Sequence, residues 1–174
     1  MFEISCDLAT GNFSMGEVPM ALEQVREYLQ QWNREWDIKE LDSSTATVAD
    51  AARALRVSEA RIAKSISLRK SDGAMVLVVA GDMKLDNRKF KDSFAFKATM
   101  LSPAEALSFT GHPVGGICPF GLPPGIEVFL DISLQRFGTV FPACGSSNSA
   151  IELTIAQLQE YSGSSAWVDV CKAQ

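Results

Sequence analysis

The sequence predicts an α+β (mixed α/β) fold, in which a largely antiparallel mixed sheet is surrounded by helices. Segments with strand patterns outnumber segments with helical spacing, and short turns such as Ser71–Gly73 join several of them. No internal repeat and no linker divides the chain after residue 20. Residues 20–174 are therefore expected to form one domain, preceded by an N-terminal extension at residues 1–19.

The composition is that of an ordinary globular domain. The chain has 174 residues, of which 47% are hydrophobic and 21% are charged, and this length suits a sizeable core. No apolar run approaches the ~20 residues that a membrane-spanning helix needs. The first twenty residues are acidic and lack the basic start and apolar stretch of a secretory signal. We therefore expect a cytoplasmic protein with no membrane partner.

The helices are predicted from apolar residues three and four positions apart and from capping residues. The clearest helix covers residues 20–36, where Leu22, Val25 and Leu29 would lie on one buried face. Five further helices are expected at residues 47–55, 58–64, 86–94, 102–111 and 154–163. The helix at 102–111 begins with a capping box, because Ser102 is followed three residues later by Glu105.

The strands are predicted from alternation and from short apolar runs between turns. Residues 64–70 alternate apolar and polar side chains, and residues 74–80 form a continuous apolar run, which indicates a hairpin with one buried central strand. The other strands are expected at residues 126–130, 139–143, 150–153 and 167–171. The pair at 139–143 and 150–153 would flank a turn rich in glycine and serine.

Residues 111–125, GHPVGGICPFGLPPG, hold five glycines, four prolines and the single histidine of the chain. Such a stretch predicts either a plain turn between strands or a loop whose backbone N–H groups hold a reacting group. A Cys118–His112 pair would be a nucleophile only if the ring contacted the thiol. We favour a buried, unreactive Cys118 and a structural His112.

The sequence lacks the motifs that several other kinds of active site require. The chain has no Walker loop, no strand-linked G-x-G-x-x-G and no G-x-S-x-G nucleophile elbow. The four cysteines at positions 6, 118, 144 and 171 form no C-x-x-C pair, and one histidine does not complete a zinc site. We therefore expect neither a metal nor a cofactor.

Charge is unevenly distributed along the chain. The net charge is −5, yet residues 53–97 hold eleven Lys or Arg against five Asp or Glu. A basic middle on an acidic protein is typical of contact with a phosphate-bearing partner, although an ordinary solvated surface has the same pattern. Three places remain as candidates for the chemistry, namely Lys64, the loop 115–119 and the turn 145–149.

Four segments in this order carry a family resemblance: IAKSISL at 62–68, LVVAGDMKLDNRKF at 77–90, LSPAEALSFTGHPVGGICPFGL at 101–122 and CGSSNSAIELT at 144–154. With them the chain resembles the YbaK/ProX family of trans-acting aminoacyl-tRNA deacylases. These are free-standing relatives of the editing domain inserted in bacterial prolyl-tRNA synthetase. The resemblance covers nearly the whole chain after residue 20.

The resemblance implies a YbaK-like editing-domain fold and metal-free hydrolysis of the ester between a mischarged amino acid and tRNA, usually a proline tRNA. It implies that Lys64 helps to hold the terminal nucleotide. It implies that backbone amides of one loop face the ester and place the water, the loop residues being Gly115, Gly116, Ile117, Cys118 and Pro119. An aminoacyl ester is already activated, so such positioning suffices without a strong base.

The resemblance also implies contacts around the substrate. Two stretches would border the amino-acid pocket, namely Ser43, Ser44 and Thr45 together with Ser146, Ser147 and Asn148. The small hydroxyls at 43–45 favour a small substrate side chain. Arg88 and Lys89 would meet tRNA phosphates. Some family members carry an acidic residue at the position of Ala150, so neither a cysteine-specific nor an acid-dependent mechanism is expected here.

Two other functions stay open from the sequence. One is a non-catalytic module that grips tRNA or an aminoacyl-tRNA synthetase with the same fold. The other is a small-molecule esterase, for which the chain lacks a recognisable nucleophile. Retention of both Lys64 and the complete loop from Gly115 to Pro119 favours the hydrolase.

Overall fold

The computed structural model describes residues 21–174, so the extension expected at residues 1–19 lies outside the described part. The described part forms five α-helices, α1 (Ala21–Leu29), α2 (Val48–Leu55), α3 (Asn87–Phe94), α4 (Pro103–Thr110) and α5 (Ile155–Ser162). Its strands are β1 (Lys39–Glu40), β2 (Ile62–Lys70), β3 (Gly73–Ala80), β4 (Met83–Leu85), β5 (Glu127–Asp131), β6 (Thr139–Pro142), β7 (Ser149–Ala150), β8 (Leu153–Thr154), β9 (Ala166–Val168) and β10 (Cys171–Ala173).

A six-stranded sheet in the order β8-β6-β2-β3-β5-β9 forms the centre of the molecule. Two further antiparallel pairs join β1 to β7 and β4 to β10. The predicted hairpin is β2 with β3, paired continuously from Ala63 and Ala80 to Lys70 and Gly73. Four strand pairings are antiparallel and three are parallel, which confirms the predicted mixed, largely antiparallel α/β architecture.

Hydrogen bonds from capping residues explain where four of the helices begin. The N-cap side chains that accept backbone N–H groups of the first turn are Thr47, Asp86, Ser102 and Thr154. Ser102 and Thr154 form complete capping boxes. Gly111 and Gly163 end their helices in the left-handed conformation, at φ of 74° and 56°. The predicted starts of α2, α3, α4 and α5 are thereby confirmed.

The helix predicted over residues 20–36 is wrong in its second half, because α1 ends at Leu29. Two 3₁₀ turns follow, at Gln30–Trp32 and Glu35–Asp37, and Asn33 between them is left-handed at φ 56°. Trp32, the last residue of the first 3₁₀ turn, still packs against the core, which explains why the apolar spacing extends beyond α1. Trp36, by contrast, is 81% exposed and lies outside the core.

The short helix predicted at 58–64 is also wrong. Only a 3₁₀ turn forms, at Glu59–Arg61, and β2 begins directly at Ile62. Parallel pairing of Ile62 and Ala63 with β6 fixes these residues in the extended conformation, which overrides their local helical preference. Lys64 therefore lies inside a strand rather than at a joint between helix and strand.

The C-terminal strand predicted at 167–171 is two separate strands. β9 pairs in parallel with β5, and β10 pairs with β4. The chain turns between them, where the N–H of Val170 donates to Oδ2 of buried Asp131 at 2.9 Å. The sequence analysis missed β1 and β4, because strands of two or three residues show no measurable alternation.

The two faces of the β2–β3 hairpin bury two different apolar clusters. On one face Val76 and Val78 pack with Phe120 and Cys118, close to α1 and α5. On the other face Leu77 and its strand neighbours pack around a fully buried residue of α3, Phe90. β3 is therefore buried on both faces, as its continuous apolar run predicts, and elements on the two faces are separated by the sheet.

Candidate functional site

The candidate site lies where the pairing of β2 is interrupted. β6 covers the first two residues of β2, Ile62 and Ala63, and the backbone at 99–101 covers it from Ser67 onward. Between these stretches no strand of the described chain covers the edge. Alternate residues of an antiparallel strand direct their peptide groups to opposite neighbours. The peptide groups of Ser65 therefore face this uncovered edge, on the same side of β2 on which the carbonyl of Ser67 accepts the N–H of Leu101.

A cavity of about 400 Å³ lies beside the uncovered edge. This volume falls within the range of about 300–1,000 Å³ that is typical of small-molecule sites. β2, α2 and three loop segments, at 45–47, 100–103 and 114–117, form its walls together with Phe141. Met100 and Val114 are 69% and 58% exposed, so apolar side chains also line the cavity where it meets solvent.

The Gly/Pro loop lines the cavity at Gly115 and Ile117. The N–H of Gly116 donates to the carbonyl of Pro113 at 2.9 Å, and the N–H of Cys118 donates to Nδ1 of His112 at 3.4 Å. Within the described residues no hydrogen bond is made by the N–H groups of Gly115 and Ile117. Of the predicted loop, these two amides are the N–H groups that have no partner among the described residues.

Close packing fixes the conformation of this loop. A side chain at Gly116 would place its Cβ 2.6 Å from the carbonyl carbon of Gly145, and the N–H of Gly145 donates to the carbonyl of Gly116 at 3.0 Å. Gly115 has a left-handed φ of 91° and faces Ala46 and Ser147. The two glycines are therefore required by a positive φ and by close backbone approach.

Cys118 and His112 lie behind the loop rather than in the cavity. Both are fully buried, with Sγ 3.7 Å from Nδ1. Burial raises the pKa of the Cys118 thiol to about 12 and lowers the pKa of His112 to about 4. A neutral imidazole ring beside a protonated thiol is not an activated nucleophile pair. His112 instead accepts the N–H of Cys118 and so stabilises the conformation of the loop. Pro119 is buried as well, outside the cavity lining.

The two serine-rich stretches lie side by side. The N–H of Leu41 donates to the Asn148 carbonyl at 2.8 Å, and the Asn148 side-chain amide returns a bond to the Leu41 carbonyl at 3.1 Å. The N–H of Thr45 donates to the carbonyl of Ser147 at 2.5 Å. The structure thus brings residues 43–45 and 146–148 together, as expected for two stretches that border one pocket.

Only some of these polar residues line the cavity. Thr45 does, whereas Ser43 and Ser44 are exposed outside it. The hydroxyl of Ser146 donates to Oδ1 of Asn148 at 2.9 Å, and its oxygen lies 2.7 Å from Oγ of Ser149, within the turn itself. Ser146, Ser147 and Asn148 therefore support the wall, and their neighbours Ser149 and Ala150 form its surface.

Lys64 lines the cavity, but its side chain leaves β2 on the face opposite to the Gly/Pro loop. It shares strand parity with Ile66 and Leu68, which pack in the Phe90 cluster. Ala63, of the other parity, packs with Cys118.

The ammonium group of Lys64 is held by backbone carbonyls. Nζ donates to the carbonyl oxygen of Gly81 at 3.2 Å and to that of Met83. Burial lowers the pKa of Lys64, while Asp82 opposes that shift. No acidic side chain of the described residues forms an ion pair with Lys64. Its positive charge is therefore not neutralised by a direct partner.

Arg88 and Lys89 lie on α3, apart from the cavity lining. Nζ of Lys89 lies 2.7 Å from Asp169 and donates to the Cys171 carbonyl at 3.1 Å. Arg88 is exposed, and its side chain makes no ion pair with any described residue. Acids from outside the segment pair with several basic residues of 53–97, in the pairs Arg61–Glu152, Arg69–Glu105, Lys70–Glu127 and Lys89–Asp169. Much of the basic excess is thereby neutralised locally.

The sequence analysis missed several lining residues, of which Ser65 and Phe141 are the most informative. Strand alternation would have placed Ser65 opposite to Lys64, but the uncovered edge depends on where β6 stops, which no local pattern shows. In the described part of the chain, no helix is long and apolar enough to cross a membrane, and no three His, Cys, Asp or Glu side chains cluster as metal ligands would.

Several known proteins share sequence or fold with this chain. Residues 42–161 match the model of the aminoacyl-tRNA editing domain. The uncharacterized protein YwhH of Bacillus subtilis is 56% identical over 154 residues, covering 88% of this chain and 98% of YwhH. A proline–tRNA ligase of Pelobacter propionicus is 31% identical over 91 residues, which is 51% of this chain but only 16% of the ligase.

A solved structure described as a candidate trans-editing enzyme for prolyl tRNA synthetase superposes with a TM-score of 0.79 at 25% identity. The superposition covers 88% of this chain and 98% of that protein. The family model matches well over half of the chain, including the Gly/Pro loop and β2. The chain therefore belongs to the aminoacyl-tRNA editing domain family.

Proposed function

We propose that this protein hydrolyses the ester bond of mischarged aminoacyl-tRNA, acting as a free-standing deacylase on proline tRNA. One observation carries the proposal. A cavity of about 400 Å³ is lined by Gly115 and Ile117, whose backbone N–H groups have no partner among the described residues, and by Lys64, which forms no ion pair there. Family membership and the similarity to proline–tRNA ligases and to the candidate trans-editing enzyme support the choice of substrate.

The proposed mechanism relies on positioning. Attack of water on the ester carbonyl forms a tetrahedral oxyanion, and the N–H groups of Gly115 and Ile117 donate hydrogen bonds to it or to the attacking water. Collapse of this intermediate breaks the bond to the ribose oxygen, which leaves as a hydroxyl after taking up a proton from solvent. Neither Cys118 nor His112 takes part, because both are buried behind the loop.

Lys64 supplies the charge that binds the tRNA terminus. Its ammonium group forms no ion pair with the described residues and attracts the phosphate of the terminal nucleotide as a point charge. The carbonyls of Gly81 and Met83 fix that ammonium group before the substrate arrives. Arg88 and, more weakly, the paired Lys89 add a sequence-independent attraction for phosphates farther along the tRNA.

The test is hydrolysis of proline tRNA charged separately with Pro, Ala, Ser, Cys or Thr. Wild-type protein is expected to cleave one or more mischarged esters and to spare the proline ester. Lys64→Ala should lower that rate by about 10²-fold. Lys84→Ala is the matched control, because Lys84 is an exposed lysine on β4 outside the cavity lining, and it should cleave at the wild-type rate.

Thermal unfolding of Lys64→Ala shows whether a loss of activity reflects a loss of fold. A folded Lys64→Ala with wild-type turnover would contradict the role of Lys64. Binding of tRNA without cleavage of any ester would replace the deacylase by the non-catalytic module that grips tRNA or a synthetase.

A further inference from the structure

An acidic residue belongs to the short turn that holds the ammonium group of Lys64. The carbonyl oxygens of Gly81 and Met83 accept the hydrogen bonds from Nζ, and Asp82 is the residue between them. Burial lowers the pKa of Lys64, and the negative charge of Asp82 opposes that shift without a direct ion pair. A carboxylate that could neutralise Lys64 is therefore built into the turn that binds it.

Arg136 engages both oxygens of this carboxylate. Its Nη1 donates to Oδ2 of Asp82 at 3.0 Å, and its Nη2 donates to Oδ1 at 2.6 Å. Such a bidentate pair fixes the geometry of the carboxylate as well as balancing its charge. The guanidinium group is itself held in place, because Nε donates to the carbonyl of Ser133 at 2.8 Å. The Asp82 side chain thus has a cationic partner other than Lys64.

Other contacts hold the backbone of the turn independently of this ion pair. The N–H of Gln174 donates to the carbonyl of Asp82 at 3.2 Å, and the Gln174 side-chain amide donates to the carbonyl of Gly81 at 3.1 Å. A side chain at Gly81 would place its Cβ 2.0 Å from the carbonyl oxygen of Glu59, so the backbone is closely packed there. The ion pair is also partly exposed, and exposed ion pairs contribute little to stability. Its removal should therefore leave the fold intact.

We propose that Arg136 is a positioning residue that keeps Asp82 from neutralising Lys64, so that the ammonium group stays free to bind a phosphate of the tRNA terminus. This inference rests on the proposed function and adds a residue that acts through Lys64. Besides Arg136, Lys64 is the cation whose charge acts on the Asp82 carboxylate. Without the guanidinium group the carboxylate would pair with Lys64, and a paired ammonium group attracts a phosphate less strongly.

The experiment measures two quantities, namely kcat/KM for the mischarged proline tRNA that wild type cleaves best and the affinity for uncharged proline tRNA. Arg136→Ala should lower both by roughly 10-fold. Arg136→Lys keeps a cation beside Asp82 and should retain most of both. Addition of Asp82→Asn to Arg136→Ala removes the neutralising charge and should restore both quantities to near the wild-type values.

Two further measurements separate this role from a general effect of charge. Lys172→Ala is the matched control, because it also removes the cation of a surface ion pair, here with Asp86 at 3.2 Å, and lies outside the cavity lining. It should leave both quantities near the wild-type values. Addition of Arg136→Ala to Lys64→Ala should cause no further loss, because the proposed role of Arg136 requires Lys64.

The outcomes separate this inference from the proposed function. Wild-type values for Arg136→Ala would overturn the inference, and so would a loss that Asp82→Asn does not reverse. An equal 10-fold loss in the Lys64→Ala background would show that Arg136 contacts tRNA itself, and would also overturn it. All three results leave the deacylase function in place. If wild type binds tRNA and cleaves no ester, the deacylase function fails, and the affinities alone decide this inference.

Discussion

The Gly/Pro loop and the start of α3 were both expected to contact tRNA, yet they are built in opposite ways. Backbone contacts at Gly116 and the buried ring of His112 fix the loop, and two of its amides have no partner among the described residues. Arg88 on α3 is an exposed, unpaired charge on the other face of the β2–β3 hairpin. The loop therefore owes its proposed role to geometry, and α3 owes its role to charge alone.

This difference predicts different tolerance to substitution. A site made of backbone amides depends on positions fixed to within a fraction of an ångström. An electrostatic attraction to phosphates acts over a Debye length of about 8–10 Å and varies little with exact position. Single changes in the loop should therefore have large effects, and single changes on α3 should have small ones.

The largest effect is expected for Gly116→Ala. The new Cβ would lie 2.6 Å from the backbone of Gly145 and 2.7 Å from the N–H nitrogen of Ser146, and neither is a flexible side chain that could move aside. The loop must shift, and the amides of Gly115 and Ile117 shift with it. We expect ester hydrolysis to fall by about 10²–10³-fold in single-turnover assays.

Gly138→Ala is the matched control for this change, because a Cβ at Gly138 would meet no atom within 4 Å and its φ is not left-handed. It should retain full activity. Thermal unfolding of both variants reports whether the loop shift also destabilises the fold. Wild-type hydrolysis by Gly116→Ala would contradict the assignment of the ester site to this loop.

An intermediate effect is expected on the pH dependence of stability through His112. Burial lowers its pKa from 6.5 to about 4, so between these values the unfolded chain binds a proton that the folded protein does not. The free energy of unfolding should therefore fall as the pH falls from 6.5 to 4, by about 3 kcal/mol in total.

His112→Asn tests this expectation, because an asparagine oxygen can accept the N–H of Cys118 in place of Nδ1. Urea unfolding at pH 7 and at pH 4.5 would be compared for the two proteins. The variant should lose less stability than wild type over this interval. Equal losses would mean that His112 does not hold its neutral form in the folded state.

The sequence predicted the loop better than it predicted the rest of the cavity. Two adjacent glycines before Ile117 indicate close backbone approach whatever the surrounding fold. The place of Ser65 at the uncovered edge, by contrast, follows from the point where β6 stops covering β2, which is set by long-range pairing at Ile62 and Ala63. The same pairing converted the expected helix at 58–64 into strand. Local sequence patterns therefore predicted the Gly/Pro loop. Long-range strand pairing, which these patterns do not show, determines the other walls of the cavity.

The ion pairs of the basic segment at residues 53–97 could not be predicted from the sequence, because they also depend on long-range contacts. Lys89 and Asp169 are eighty residues apart, and long-range contacts such as the pairing of β10 with β4 bring that acidic residue to α3. The count of charges along residues 53–97 consequently overstated the positive surface. Arg88, which has no such partner in the described part of the chain, keeps its charge available.

The smallest effect is expected for Arg88→Ala. Loss of one phosphate contact should weaken tRNA binding modestly and lower the slope of log affinity against log salt concentration by about one, equally for all tRNAs. Lys89→Ala should change the slope less, because Asp169 already engages that ammonium group at 2.7 Å. Single-turnover hydrolysis at saturating protein should stay at the wild-type rate in both variants. A large loss of that rate in Arg88→Ala would mean that α3 fixes the substrate geometrically, and the contrast with the Gly/Pro loop would then fail.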